Sequence, residues 1–179
     1  NAAHATQVLL HEARINQMEI ENDELTTRLL ATQQPMAADM RFLTAALKIN
    51  NDLERMGDLA VSIVERGLAL MKEPAISPAI DIPRMAKLTE SMIRRSLDAF
   101  VRSDAEMARS VLLADDAVDN LRDAIYDELV EYMQRAPENV RPGVNLMFVT
   151  RKLERLADHS TNIAEDVLFL VQGVDVRHH

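Results

Sequence analysis

The sequence predicts an all-α protein made of two tandem repeats, the second with three helices and the first with two. Apolar residues recur at spacings of three, four and seven over long stretches, as on one face of a helix. Only four Gly and six Pro interrupt the 179 residues, which favours long helices over many short strands. A thirteen-residue window also occurs twice, since residues 53–65 and 153–165 match at six positions. The chain is therefore predicted to be an internal duplication.

The first repeat is predicted to span residues 1–72 and to contain two helices, over residues 3–32 and 36–71. Their boundary is predicted at Pro35, because proline interrupts a helix yet is tolerated in the first turn of the next one. The second helix would be unusually long for a globular protein. The first repeat is thus expected to consist of two helices only.

The second repeat is predicted to span residues 84–173, after a linker over residues 73–83 and before a tail over residues 174–179. Three prolines and little periodicity mark the linker. A sequence of the capping-box type, Ser103–Glu106, is predicted to start the second of its three helices. The predicted helices run over residues 84–101, 103–134 and 144–171, with a loop over residues 135–143.

The first repeat lacks a counterpart to the helix predicted over residues 84–101. The groove that such a helix would cover is therefore expected to be open or filled by a neighbour. Restoring a preceding amphipathic helix is expected to raise the thermal stability. The chain begins with Asn1 rather than Met, so it is interpreted as a fragment.

Composition excludes several classes of protein. A net charge of −9 and the lack of any basic patch argue against nucleic acid as a partner. There is no Cys, which excludes a disulfide framework and thiolate metal sites. No apolar run approaches the roughly 20 residues that a membrane-spanning helix needs. The acidic surface would instead attract a basic partner surface, with a strong dependence on salt.

The repeated window carries paired carboxylates. Glu54 and Asp58 are four residues apart, as are Glu154 and Asp158, so each pair shares one helix face. Relative to the buried stripe through Met56, the first pair is expected to point away from the bundle interior, and the second pair likewise. Each copy of the window therefore presents two acidic side chains together.

A second class of pair occurs on the preceding helices. Asp115 and Asp119 are four residues apart, and the corresponding residues of the first repeat are Glu12 and Asn16. Clusters of carboxylate oxygens suit hard or borderline cations such as Mg²⁺, Mn²⁺, iron or Zn²⁺. Metal binding is therefore one interpretation of these residues, and ordinary solvation of acidic side chains is the other.

Three further side chains near the repeated window are candidates. Arg55 and Arg155 could neutralise the neighbouring carboxylates or contact a partner. His159 could be a metal ligand, although its counterpart, Leu59, is apolar. The sequence contains no Gly-rich phosphate loop and no combination of nucleophile, base and acid, so neither catalytic nor organic-cofactor-binding residues are predicted.

Three stretches resemble the PhoU family, the accessory regulators of bacterial phosphate uptake. They are Gln34–Arg41 (QPMAADMR), Leu53–Ala60 (LERMGDLA) and Leu153–Asp158 (LERLAD), the last followed by Asn162 and Ile163. The resemblance covers nearly the whole chain. It implies a fold of two pseudo-symmetric three-helix repeats, of which the first would here lack its first helix.

The resemblance also implies a function. It implies a cytoplasmic, non-enzymatic protein that restrains phosphate uptake and the phosphate-starvation response through contacts with the ATPase of the phosphate transporter and with the sensor histidine kinase. The chain would then reach the membrane only through these partners, and a homodimer is also expected. Some family members carry metal clusters on acidic motifs, which correspond here to Glu54, Asp58, Asp115, Asp119, Glu154 and Asp158. Glu12 belongs to a weakened motif, because Asn16 replaces its second carboxylate.

Two other functions are consistent with a helical bundle. A metal-free scaffold or dimerisation module differs from a regulator only in its partners. A ferritin-like di-metal protein would carry Glu-x-x-His pairs pointing into the bundle core. The sequence contains no Glu-x-x-His, and its repeated carboxylates are expected to point outward.

Overall fold

The computed structural model describes residues 2–73 and 80–173. Five long helices confirm the predicted all-α fold, and the described residues contain no strand. The predicted tail, and residues 74–79 of the predicted linker, lie outside the described residues. The helices are α1 (Ala2–Gln33), α2 (Ala37–Leu70), α3 (Ile82–Arg102), α4 (Ala105–Arg135) and α5 (Val140–Gln172), with a 3₁₀ helix, Pro137–Asn139, before α5.

The central contact of the fold is between α2 and α5, the two helices that carry the repeated window. α1 packs on α2, whereas α3 and α4 pack on α5 and on each other. The second repeat is therefore a three-helix bundle, and the described part of the first repeat is a two-helix hairpin. This arrangement is the predicted one.

The hydrophobic core lies mainly in the second repeat. Met85 and Met92 of α3, Ile125 and Leu129 of α4 and Ile163 of α5 are each at most 1% exposed. Among the described side chains of α1, the only buried apolar one is that of Ala5, which is 8% exposed. This difference follows from the packing, because α2 is the only one of the five described helices that packs against α1.

An apolar groove of about 310 Å³ lies between α1 and α2 and extends to α3. Leu25 of α1 and Leu43 of α2 contribute to its walls. Phe42 of α2 also lines the groove and stacks on Phe100 of α3, with ring centroids 5.8 Å apart. Leu25 is 50% exposed, so this groove is open to solvent. An open groove is what the sequence predicts for a first repeat with two helices.

A polar residue in the middle of α2 joins α1 to α2. Asn50 is buried, and its side-chain amide donates to the Glu19 carbonyl and to the Asp23 carboxylate, both at 2.9 Å. Its carbonyl oxygen accepts a hydrogen bond from Asn22 at 3.1 Å. The interruption of the apolar stripe at this position is therefore a satisfied hydrogen-bonding site between the two helices.

The predicted start of α4 is wrong by one residue. The side chain that caps the helix is Asp104, which accepts a hydrogen bond from the Met107 N–H at 2.9 Å. Ser103 instead ends α3 with a left-handed backbone, at φ 51°. Ser and Asp are both good N-cap residues, so the sequence pattern alone did not decide between them.

The predicted loop over residues 135–143 is also wrong, because α5 already begins at Val140. Pro142 and Gly143 lie in its first turn, and both are buried. The first four N–H groups of a helix have no partner within it, so a proline there removes no hydrogen bond. The same reason explains Pro83 in the first turn of α3.

None of the described helices combines the length and the apolar character needed to cross a membrane.

Gly57 in α2 provides a test of how closely α1 packs. Its counterpart in α5 is Ala157, and a Cβ atom built on Gly57 would lie 3.8 Å from side-chain atoms of Glu12 and Ile15, an ordinary contact distance. Gly57→Ala is therefore expected to raise the free energy of unfolding by about 1 kcal/mol, because alanine is less flexible than glycine in the unfolded chain. Urea unfolding measures this change.

Gly173→Ala is the matched control, with the opposite expected sign. Gly173 ends α5 at φ 70°, where a Cβ atom introduces backbone strain. A lower stability for Gly57→Ala would show that α1 lies too close to α2 to accept a methyl group.

Candidate functional site

The predicted carboxylates of the second repeat lie together where α4 faces α5. Burial first, and then the charges of Asp119 and Asp158, raises the pKa of Asp115 to about 6. Burial, followed by Glu154 and Asp119, also raises the pKa of Asp158, although its side chain reaches solvent. These carboxylates therefore face a neighbouring helix and not only open solvent. We call Asp115, Asp119, Glu154 and Asp158 the second acidic cluster, because they belong to the second repeat.

An arginine that the sequence analysis did not single out enters this cluster. The Nη1 atom of Arg122 donates to the Asp119 and Glu154 carboxylates, both at 2.8 Å. Its Nε atom donates to Asp123, also at 2.8 Å. The Arg122 side chain is 21% exposed, so solvent screens these contacts only in part. Arg122 therefore neutralises part of the negative charge of the second acidic cluster.

The corresponding residues of the first repeat have a different charge balance. Burial first, and then neighbouring carboxylates, raises the pKa of Glu54. Asn16 does not replace the missing charge but donates a hydrogen bond to Glu12 at 2.6 Å. Glu19 occupies in α1 the position that Arg122 has in α4, and its charge contributes to the pKa shift of Glu54. The first repeat therefore has a carboxylate where the second has a guanidinium.

The acidic residues do not fit a resident metal ion in their present arrangement. Within residues 5–73 and 80–173, no three His, Asp or Glu side chains converge closely enough to hold one. In the second acidic cluster, Arg122 already supplies the positive charge between Asp119 and Glu154. The assignment of metal ligands therefore stays a prediction for Glu12, Glu54, Asp58, Asp115, Asp119, Glu154 and Asp158.

Both arginines of the repeated window line one pocket between α2 and α5. The pocket has a volume of about 190 Å³, and its polar lining comprises Arg55 and Asp58 of α2 with Lys152, Arg155 and His159 of α5. Three of these side chains are cationic, those of Arg55, Lys152 and Arg155. None of the three forms an ion pair or a hydrogen bond with another described residue. We call it the motif pocket, because Arg55 and Arg155, which occupy the same position in the two copies of the repeated window, both line it.

A buried carboxylate holds His159 in position at the motif pocket. Asp52 of α2 is 8% exposed, and its Oδ1 atom lies 2.7 Å from His159 Nδ1. An ionised carboxylate only accepts hydrogen bonds, so the Nδ1–H group donates to it. Asn162 donates to the same oxygen at 3.5 Å. The pair joins the two repeats, and it leaves Nε2 as the ring nitrogen of His159 that could bind a metal ion.

The raised pKa of Asp115 predicts a dependence of stability on pH. The folded chain retains this proton to about pH 6, whereas the unfolded chain releases it near 3.8, so ionisation destabilises the fold as pH rises through this window. Asp115→Asn is expected to raise the free energy of unfolding at neutral pH by about 1 kcal/mol, after allowance for solvent screening. Below pH 3.8 the gain should vanish.

Denaturant unfolding at two pH values measures this difference. Asp127→Asn is the matched control, because Asp127 is exposed on the same helix. A gain for Asp115→Asn that is equal at both pH values would contradict an electrostatic origin.

Comparison with known proteins identifies the family. The model of the PhoU domain matches residues 1–67 and 82–167. The chain belongs to the PhoU family. It is 40% identical to the phosphate-specific transport system accessory protein PhoU homolog of Pseudomonas aeruginosa, over 97% of this chain and 72% of that protein. It is 35% identical to the protein of the same name from Aquifex aeolicus, over 99% of this chain and 80% of that protein.

Solved PhoU structures share the fold of this chain. The crystal structure of PhoU from Pseudomonas aeruginosa matches with a TM-score of 0.94 at 36% identity, covering 97% of this chain and 84% of that one. The phosphate transport system regulatory protein PhoU from Streptococcus pneumoniae matches with a TM-score of 0.86 at 30% identity, covering 96% of this chain and 81% of that one. The resemblance to the PhoU family and the tandem-repeat fold are confirmed.

In this PhoU-family chain, sequence reasoning missed polar residues at positions where the two repeats differ. Lys152 lines the motif pocket, and its counterpart in the first copy, Asp52, holds His159 in position there. Arg122 corresponds to Glu19, and the two give the acidic residues of the repeats opposite partners. The signal for these residues therefore lies in the differences between the two copies and not in their identities.

Proposed function

We propose that this chain restrains phosphate uptake and the phosphate-starvation response when phosphate is plentiful. The observation that carries the proposal is the match of the PhoU domain to both repeats. The names of its relatives, an accessory protein of a phosphate-specific transport system and a phosphate transport system regulatory protein, support it. The chain would act in the cytoplasm.

The regulation would proceed by protein contacts and not by catalysis. The hydroxyls beside His159 support this view, because Ser160 and Thr161 donate to the backbone carbonyls of Leu156 and Asp158, at 2.9 and 2.7 Å. A serine or threonine nucleophile needs a base within hydrogen-bond reach of its hydroxyl. The histidine here is bound to a carboxylate but has no such hydroxyl partner among the described residues.

The proposed partners are the ATPase of the phosphate transporter and the phosphate-sensor histidine kinase. The net charge of −9 favours a partner surface that is basic, and association should then weaken as salt increases. Arg55 and Arg155 are exposed and are proposed as contact residues on this otherwise acidic protein. Binding of the purified chain to each partner at low and high salt tests this part of the proposal.

A phosphate-starvation reporter tests the function as a whole. In cells that lack the gene and grow in ample phosphate, the reporter should be on, and the returned intact gene should silence it. A reporter that never responds to the deletion would reject the regulator. The metal-free scaffold or dimerisation module would then be the better explanation.

Metal binding and the homodimer stay separate predictions. Asp158→Ala is expected to lower the amount of metal bound by the purified chain more than Asn16→Ala, because only the former removes a carboxylate. Equal metal contents of the two variants would contradict metal binding at the acidic residues. Light scattering of the purified chain gives the oligomeric state.

A further inference from the structure

We propose that the motif pocket binds one inorganic phosphate ion, in its hydrogen phosphate form. The pocket is a concave site between α2 and α5 that three cationic side chains line, in a protein whose net charge is −9. That it is an anion site follows from its lining. The choice of phosphate among small oxyanions also rests on the proposed function.

The cationic groups of the motif pocket are available to a ligand. Arg55, Lys152 and Arg155 form no ion pair or hydrogen bond with any other described residue, whereas other arginines of the fold, such as Arg122, are paired. Each guanidinium offers five N–H donors in a planar fork that matches two oxygens of a phosphate. A lysine adds three donors and a compact charge. The lining can therefore donate to every oxygen of a tetrahedral anion.

The walls of the pocket are held in place before a ligand arrives. Arg55 and Arg155 project from helices that pack against each other, and Leu59 forms an apolar wall beside them. His159 is fixed by its contact with the buried Asp52 at 2.7 Å. These contacts order the walls of the pocket and so reduce the entropy lost on binding, whereas the exposed side chains of Arg55 and Arg155 become ordered by the ligand. An ion between the two arginines would also join the two repeats.

Asp58 also lines the pocket and selects among anions. An ionised carboxylate accepts hydrogen bonds but cannot donate one. Hydrogen phosphate keeps one O–H group that can donate to Asp58, while its other oxygens accept from the cationic groups. Sulfate has no O–H group at neutral pH, so it would face the carboxylate with a bare oxygen. Asp58 should therefore favour hydrogen phosphate.

The volume of the pocket limits the size of the ligand. A volume of about 190 Å³ accommodates a small ion with some water. Drug-sized ligands occupy pockets of about 300 to 1,000 Å³, so the pocket would hold only the phosphate end of a nucleotide. A phosphate monoester has a second pKa of about 6 and is mostly a dianion at neutral pH, without the O–H group that Asp58 would accept. Free phosphate is the ligand that meets both conditions.

Equilibrium dialysis of the full chain against radiolabelled inorganic phosphate tests the proposal, at neutral pH and fixed ionic strength. The chain is expected to take up one phosphate. Excess sulfate or glycerol 3-phosphate should displace it poorly. The double variant Arg55→Gln/Arg155→Gln should bind at least about tenfold more weakly, since charged hydrogen bonds are lost. Asp58→Asn should make sulfate an effective competitor, because an amide can donate to it.

Arg151→Gln is the matched control. Arg151 is exposed, precedes Lys152 on α5 and does not line the pocket. Its replacement removes one nearby positive charge, where the double variant removes two, and should leave phosphate binding unchanged. Both pocket arginines are exposed, and the far-ultraviolet spectrum of the double variant should match that of the wild type. An equal loss of binding in Arg151→Gln would show a general charge effect and overturn the site.

Two further results would also overturn the proposal. One is a wild-type chain that takes up no phosphate, and the other is a wild-type chain on which sulfate competes as well as phosphate. The reporter separates this proposal from the function itself. A reporter that responds to the deletion, with no phosphate bound by the chain, would reject the phosphate site alone. Phosphate binding with an unresponsive reporter would reject the regulatory function alone.

Discussion

Replacing Arg122 by glutamine is expected to lower the free energy of unfolding by about 2 kcal/mol. The guanidinium group contacts Asp119 and Glu154 at 2.8 Å, and the Glu154 side chain is only 16% exposed. Without it, the second acidic cluster keeps its charges close together with no internal cation, and the repulsion that already raises the pKa of Asp115 increases. The loss should therefore shrink at low pH, where these carboxylates take up protons.

The same variant tests whether a cation belongs at this position. Mn²⁺ or Mg²⁺ should raise the melting temperature of Arg122→Gln more than that of the wild type, because the ion would replace the lost charge. Arg94→Gln is the matched control, since its contact with Glu90 is exposed and should contribute less than about 0.5 kcal/mol. Equal losses in Arg122→Gln and Arg94→Gln would show that the cluster is fully screened by solvent.

Replacing His159 by leucine is expected to cost about 3 kcal/mol, because it leaves the buried Asp52 without its partner. The remaining contact with Asn162 is long, at 3.5 Å. Removing both partners should cost much less than removing the histidine alone, because no buried charge is then left unpaired. The variant Asp52→Leu/His159→Leu should therefore recover most of the lost stability.

Urea unfolding of the two single variants and the double variant completes this cycle. The expected result is a strong coupling between the two positions. Lys48 and Asp166 provide a second contact between α2 and α5, at 3.1 Å, which keeps the helices together in every variant. Losses that simply add in the double variant would contradict the direct pairing of Asp52 with His159.

The fold could be predicted from the sequence because its signals are local and repeated. The apolar stripe of α4, which includes Val111, Val118 and Ile125, is buried as its periodicity predicts. The stripe of α1 is less informative, since Met18 and Leu25 are about half exposed. A periodic stripe predicts that a helix has an apolar face. It does not predict how many helices cover that face.

The site was less predictable for two physical reasons. The angular position of Glu54 or Asp158 around its own helix shows that the side chain lies off the buried apolar stripe. It does not show where the neighbouring helices lie, so the proximity of Glu54 to α1 and of Asp158 to α4 was not predicted. The motif pocket joins residues about 100 positions apart, Arg55 and Arg155, which only the packing of α2 on α5 brings together. The repeated window predicted both arginines as candidate residues, but it did not predict that they line one pocket.

The most direct test of the account returns the gene to the reporter strain in altered form. One copy carries Arg55→Ala, Asp58→Ala, Arg155→Ala and Asp158→Ala together, and the control copy carries only Arg151→Ala. If the repeated window carries the regulation, the control silences the reporter in ample phosphate and the fourfold variant, present at the same level, leaves it on. If the fourfold variant silences the reporter as well as the intact gene does, the window is structural and the account is wrong.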